Sequence, residues 1–264
     1  MIMKKRGDKG QVTIFIIIAV LVVVAAILLF IFRPSGINII PSKPGTPEGF
    51  IKDCLQDTID ENINFISLQG GSLTPKHYFE YQGNKLEYLC YTNEFNKMCV
   101  VQQPILYGHV STEIEKSISS KERECFDSLK AEYEDKGYTV DLKRGETIVD
   151  LLPGKVLITF KHSLNLRKGD STSNIEEFRI SLNNNLYELL GIATSIIAYE
   201  TRFGDSETTQ YMNVYPDLKV EKYKQTDGTT VYILTNRDNE NVPGSKFQFA
   251  SRSNAWPPGY GIGS

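Results

Sequence analysis

The chain is poor in the residues that most often carry chemistry. Its 264 residues include three histidines, four cysteines and one tryptophan. His77, His109 and His162 are far apart and none falls in a closely spaced ligand pair, so no histidine metal site or catalytic base is expected from spacing. There is no GxGxxG, no Walker loop and no GxSxG turn, which removes the commonest nucleotide-binding and serine-hydrolase readings. No Asn-x-Ser/Thr sequon occurs, so a glycan role has no support. The expectation is a protein with no catalytic site, no cofactor and no metal.

Basic charge is also scarce beyond the N terminus. Residues 1–34 hold Lys4, Lys5, Arg6, Lys9 and Arg33 against Asp8 alone. Taking these five bases and one acid from the totals of 29 and 32 leaves 24 basic and 31 acidic residues, a net charge of −7 on the remainder. Nucleic-acid binding rests on clustered Lys and Arg facing phosphates, so a nucleic-acid partner is not expected.

One thing is present in abundance. Val12 to Phe32 is a run of 21 residues without charge, Gly or Pro, and Thr13 is its only polar member. A helix of that length covers roughly 30 Å, the hydrocarbon thickness of a bilayer. The run is read as a transmembrane helix, with the lipid bilayer as a partner. Four bases precede it and only Arg33 closely follows, so residues 1–11 are expected as a cytoplasmic tail and the C-terminal part outside the cell membrane. Residues 33–45 are rich in Pro and Gly and read as a semi-extended linker.

Lys9-Gly10-Gln11-Val12-Thr13 resembles the processing site of archaeal type IV pilin-like precursors, in which a peptidase cuts between Gly and Gln ahead of the apolar helix. The resemblance implies cleavage between Gly10 and Gln11. Pilins usually carry an acid at the fifth position after the cut, where it helps neighbouring helices dock; Phe15 stands there in this chain. The wider layout, with a Cys-bearing helix after the apolar run and a Phe247-Gln-Phe-Ala250 ending, resembles archaeal membrane-anchored exported proteins. That implies a lineage without an activity.

The remaining chain reads as α+β, an antiparallel sheet packed with about three helices. Residues 46–137 form a helix, hairpin, helix part. Thr46-Pro47-Glu48 starts a helix that Gly70-Gly71 stops. Strands are expected at His77 to Gln82 and Lys85 to Thr92 around Gly83-Asn84, then at Lys97 to Gln102. A second helix spans His109 to Lys136, capped by Ser111 or Thr112. Residues 138–252 form a β-rich part with strands at Tyr138 to Lys143, Thr147 to Leu152, Lys155 to Leu166 and Asn174 to Leu182. A helix follows from Leu186 to Phe203, then strands at Leu218 to Tyr223, Thr229 to Thr235 and Lys246 to Ser251. Residues 253–264 are an irregular tail, in which Trp256 and its prolines are either a docking peptide or a loosely packed terminus.

An even number of cysteines outside the cell suggests pairing. Closing the 93–96 loop on Thr92 and Lys97 puts Cys90 opposite Cys99, near disulfide reach. Cys54 and Cys125, each on an apolar helix stripe, are then left to pair. Free core thiols and a four-cysteine metal site are the alternatives, although gaps of 35, 8 and 25 residues lack the close pairs of structural zinc sites.

His162 interrupts the apolar face Val156, Ile158, Phe160, Leu164, Leu166 and is expected as a hydrogen-bonded histidine at the core or sheet margin. Glu176 and Glu177 alternate along an expected strand, so they face opposite sides and do not form a carboxylate pair. Glu200, Arg202 and Asp205 read as a surface ion-pair group at a helix end. The function expected is a membrane-anchored extracytoplasmic protein with a structural or binding role, its partners being the bilayer and other surface or membrane proteins. A pilin-like subunit is the alternative and an enzyme comes third.

Overall fold

The computed structural model describes residues 18–24, 45–239 and 242–257. It divides into two units, Met1–Ile40 and Pro41–Ser264. In the first, residues 18–24 are helical and their apolar side chains are exposed. The rest of the expected span, the Gly10-Gln11 junction and residues 33–44 of the linker lie outside the described residues. Among the described residues no helix is long and apolar enough to cross a membrane.

The second unit is α+β, with mostly antiparallel sheets. Helix α1 is Pro47–Ser67. The Thr46 hydroxyl accepts from Gly49 N–H at 3.1 Å, and Pro47 occupies the first turn, where its missing N–H has no intrahelical partner to lose. Ile51, Leu55, Ile59, Ile63 and Ile66 form its buried stripe. The chain leaves through Gly70 and Gly71, at φ +77° and +96°. A Cβ on Gly70 would lie 2.9 Å from Glu87 Cβ, so this turn needs glycine both for its conformation and for its approach to the next hairpin.

That hairpin is β1 (Tyr78–Tyr81) and β2 (Asn84–Tyr91). Tyr81 pairs with Asn84, so the turn residues are Gln82-Gly83, one position earlier than expected. Both have positive φ, 51° and 84°, as a tight two-residue hairpin turn requires. Strand β3 shrinks to Val100–Val101. Helix α2 runs Leu106–Asp135, three residues ahead of its expected start, with Ile105 at its N-cap and no side-chain cap. Leu106 and Val110 extend the stripe Ile114, Ile118, Cys125, Leu129 by one further turn, and that burial outweighs the capping that Ser111 or Thr112 could provide.

The next segment corrects the expected long strands. Strands β4 (Thr139–Lys143) and β5 (Thr147–Leu152) are followed by β6 (Lys155–Phe160), β7 (Ser163–Lys168), β8 (Ser171–Ile175) and β9 (Phe178–Asn183). They pair as two three-stranded sheets, β4-β7-β8 and β5-β6-β9. The four strands expected from Tyr138 to Leu182 as an antiparallel meander are therefore rearranged. Tyr138 to Lys143 and Thr147 to Leu152 do not pair with each other but lie in different sheets, and the expected strands Lys155 to Leu166 and Asn174 to Leu182 are each cut in two by a bend. On one side of the bend Lys143 pairs with Ser163, and on the other Thr147 pairs with Phe160. Residues 144–146 thus face only residues 161–162, the two-against-three mismatch of a bulge. Glu176 and Glu177 fall at the same bend, between β8 and β9 rather than within a strand.

Helix α3 (Leu186–Phe203) ends at Gly204, φ +73°, and buries Leu186, Leu189, Leu190, Ala193, Ile196 and Ile197. A short helix α4 (Thr209–Val214) follows, then β10 (Leu218–Lys224), β11 (Thr229–Asn236) and β12 (Lys246–Arg252). These complete a six-stranded sheet in the order β1-β2-β12-β11-β10, with β3 also on β2. The β2–β12 pairing is parallel and joins the early hairpin to the last strands, so the 137/138 division of the sequence is no boundary in the fold. Tyr81 of β1 stacks on Tyr223 of β10, ring centroids 5.9 Å apart. The two ends of the strand order therefore meet, and the curled sheet encloses a small second core of Leu86, Tyr88, Val231, Ile233 and Ala250.

Candidate functional site

Five places gather polar or reactive side chains. The first is the cysteines. Cys54 is bonded to Cys125 and Cys90 to Cys99, with Cα separations of 5.9 and 5.4 Å. These are the two expected pairs, but the second forms through a different register. Cys90 faces Val101, not Cys99, which precedes β3 by one residue and reaches Cys90 diagonally on the same face. Two disulfides are what an oxidising, extracytoplasmic compartment preserves. Among the described residues no group of three or more His, Cys, Asp or Glu could hold a metal ion.

The second is His162, which is 1% exposed. Its Nδ1 accepts from Gly145 N–H at 3.1 Å, and its Nε2 donates to Glu122 Oε1 at 2.8 Å. Gly145 N–H is the donor that the bulge would otherwise leave without a ladder partner. The imidazole closes the bend, Phe126 packs on it at 4.5 Å, and Glu122 fixes its tautomer. With both nitrogens engaged inside the core, this is a structural histidine.

The third was not legible in the sequence. Ser72, Glu87 and His109, from the turn after α1, from β2 and from α2, meet around the Ser72 hydroxyl. It lies 2.7 Å from His109 Nε2 and also hydrogen-bonds Glu87. The residue types are those of a nucleophilic site, but the polarity is wrong for one. A hydroxyl has one proton. With Glu87 ionised that proton goes to the carboxylate, and His109 must donate to Ser72 rather than accept from it. Ser72 is also buried, at 3% exposed. The cluster ties three elements together. His77 is elsewhere, packed against Tyr88 and Tyr91 at 4.7 and 4.1 Å.

Glu200, expected at the surface, is instead 1% exposed. Tyr232 on β11 donates a hydrogen bond to its carboxyl, and Ser253 Oγ donates to its backbone carbonyl at 3.0 Å. Burial pushes the Glu200 carboxyl up to about 7, with Asp205 adding to the rise and Tyr232, Lys222 and Ser251 opposing it. Burial and the same carboxyl hold the Tyr232 phenol far above the ordinary tyrosine range. Asp205 pairs with Lys222 and Lys224, so the expected grouping with Arg202 is replaced by one across to β10.

The fifth place is a cleft of about 590 Å³ between the start of α2, α3, α4 and β10. Tyr107, Tyr187, Tyr211 and Tyr215 contribute to its walls, and Glu188 and Asp217 are its carboxylates. Tyr107 and Tyr187 rings lie 5.1 Å apart, and Tyr107 Oη donates to Tyr187 O at 3.2 Å. Tyr211 Oη and Ser195 Oγ are hydrogen-bonded at 2.8 Å, which fixes α4 against α3. Apolar walls with a few placed polar groups and this volume suit a small-molecule site. Burial raises the Tyr107 phenol, and the neighbouring Tyr187 and Glu188 raise it further, so its hydroxyl stays a donor at neutral pH.

No family model, curated protein or solved structure matches the chain.

Proposed function

We propose that this is a membrane-anchored extracytoplasmic protein that acts at the cell surface by binding. The anchor is the uncharged run Val12 to Phe32, and the compartment is supported by the two disulfides. The observation that carries the binding role is the tyrosine-walled cleft, since the Ser72 cluster and His162 are both locked into structural hydrogen bonds. Protease added to intact cells making the tagged full chain should remove the folded C-terminal part. Protection of that part while the N-terminal tail is cut would overturn the orientation, and recovery of the uncleaved chain in the soluble fraction would overturn the anchor.

The second reading, a pilin-like subunit, has one specific observation behind it, the Lys9-Gly10-Gln11-Val12-Thr13 sequence. Mass spectrometry of the mature chain decides it. Gln11 as the first residue supports pilin-type processing, and an intact basic segment from Met1 rejects it. Phe15 at the fifth position after the cut gives neighbouring helices no acid with which to dock, which weighs against fibre assembly.

A further inference from the structure

We infer that the cleft selects a small organic cation, an alkylammonium head on a short apolar stem. This rests on the reading of the cleft as a binding site and adds the ligand's chemistry. Its walls combine tyrosines with two acidic residues, Glu188 and Asp217, and no Lys, Arg or His is among the lining residues. The faces of aromatic rings carry negative potential and attract cations within about 6 Å, most strongly where water is partly excluded. A neutral apolar ligand would use the rings but leave the acidic residues idle, and an anion would meet two acidic residues with no cationic side chain among the lining residues to offset them.

The geometry leaves the charges available. Glu188 Oε1 accepts from Gly154 N–H at 2.8 Å, which holds the side chain in place and leaves its charge uncancelled. Asp217 is exposed, and it is the Asp217 backbone carbonyl, not the carboxylate, that accepts from Arg237 N–H at 2.7 Å. Arg237 follows the lining residue Asn236 but does not itself line the cleft. On the α3 side Gly191 sits beneath Tyr107, where a Cβ would come 3.0 Å from the phenol oxygen. The absence of a side chain there lets that ring approach the helix and keeps the cleft wide. Tyr107 and Tyr187 are tilted by 50° to one another, so they form two walls rather than a flat stack.

The test uses the full chain in maltoside detergent, which lacks ammonium groups that would compete. Saturation-transfer NMR is recorded on choline, on its uncharged isostere with carbon in place of the quaternary nitrogen, and on methyl glucoside. Choline should bind about five-fold more tightly than the isostere, the ratio that one cation–π contact at a partly exposed site supplies. Tyr215→Ala and Asp217→Asn change exposed positions, and each should weaken choline by about three-fold while leaving the isostere less affected. Equal affinity for choline and the isostere, tighter binding of the glucoside, or no binding of choline would each overturn the assignment. None of these results touches the anchor or the orientation, which the protease experiment tests separately.

Discussion

Replacing Cys54 and Cys125 together by Ala should lower the free energy of unfolding by about 4 kcal/mol, and replacing Cys90 and Cys99 together by about 3 kcal/mol. The difference comes from the loops the bridges close. The sequence separations are 71 and 9 residues, and the chain-entropy cost of an open loop grows with the logarithm of its length. Packing separates the two pairs little. Cys125, Cys90 and Cys99 are buried and Cys54 is half-buried, so Ala leaves a small void at either bridge and the loop lengths decide the order. Urea unfolding of the two double variants and the parent, without reductant, measures both losses. Equal losses, or a larger loss for the short loop, would show that strain in the native bridges or residual structure in the unfolded chain governs the outcome instead.

The disulfides also show how far the sequence could be read. The helices were legible because each repeats an apolar residue every third or fourth position over several turns, as Ile51, Leu55, Ile59, Ile63 and Ile66 do. Residues 209–214 gave no such signal, since α4 is six residues long and none of its side chains is buried. The Cys90–Cys99 pair came from a register that the structure does not use. It survived because the true register differs by two residues, which keeps both sulphurs on one face of the strands; a shift of one would have put them on opposite faces.

The bend in the expected meander was not legible because its cause lies in contacts between distant residues. The alternation from Val156 to Leu166 continues through Lys161 and His162 without a break, and all its inward side chains are indeed buried. What ends the strand is Gly145, whose missing Cβ lets residues 144–146 press against the Lys161 carbonyl, and His162, which satisfies the Gly145 N–H thus freed. The cleft was illegible for the same reason. Tyr107 and Tyr187 are 80 residues apart in sequence and become neighbours only when α2 crosses α3. His109 has Glu113 one turn further along its own helix, but its hydrogen-bond contact Ser72 and its ion-pair contact Glu87 come from two other elements.

The contribution of Glu200 to the stability of the parent chain should fall by about 3 kcal/mol as pH rises from about 4.5 to 7. The carboxyl has an ordinary value of 4.5, and burial raises it to about 7 in the folded state. Between those values the folded protein holds a proton that the unfolded chain has released, so unfolding becomes easier with each step in pH. Below 4.5 both states are protonated and the contribution is fully present; above 7 both are ionised, and it is gone. Asp205, Glu113 and Glu221 are shifted in the opposite direction and stabilise the fold as pH rises, so the total curve mixes both signs. The Glu200→Gln variant isolates the one of interest. Its amide oxygen can still accept from Tyr232, its amide N–H can donate to the Ser251 hydroxyl, and the backbone carbonyl still accepts from Ser253, so the site keeps these partners and loses its titrating proton. Asp205, Lys222 and Tyr232 face the same site in both proteins and cancel in the comparison. The difference in unfolding free energy between the Glu200→Gln variant and the parent should therefore be small near pH 4.5 and favour the variant increasingly up to pH 7, where the buried carboxylate of the parent is ionised. A pH-independent difference would mean that Glu200 titrates alike in the folded and unfolded chains, and that Tyr232 and Lys222 offset the whole effect of its burial.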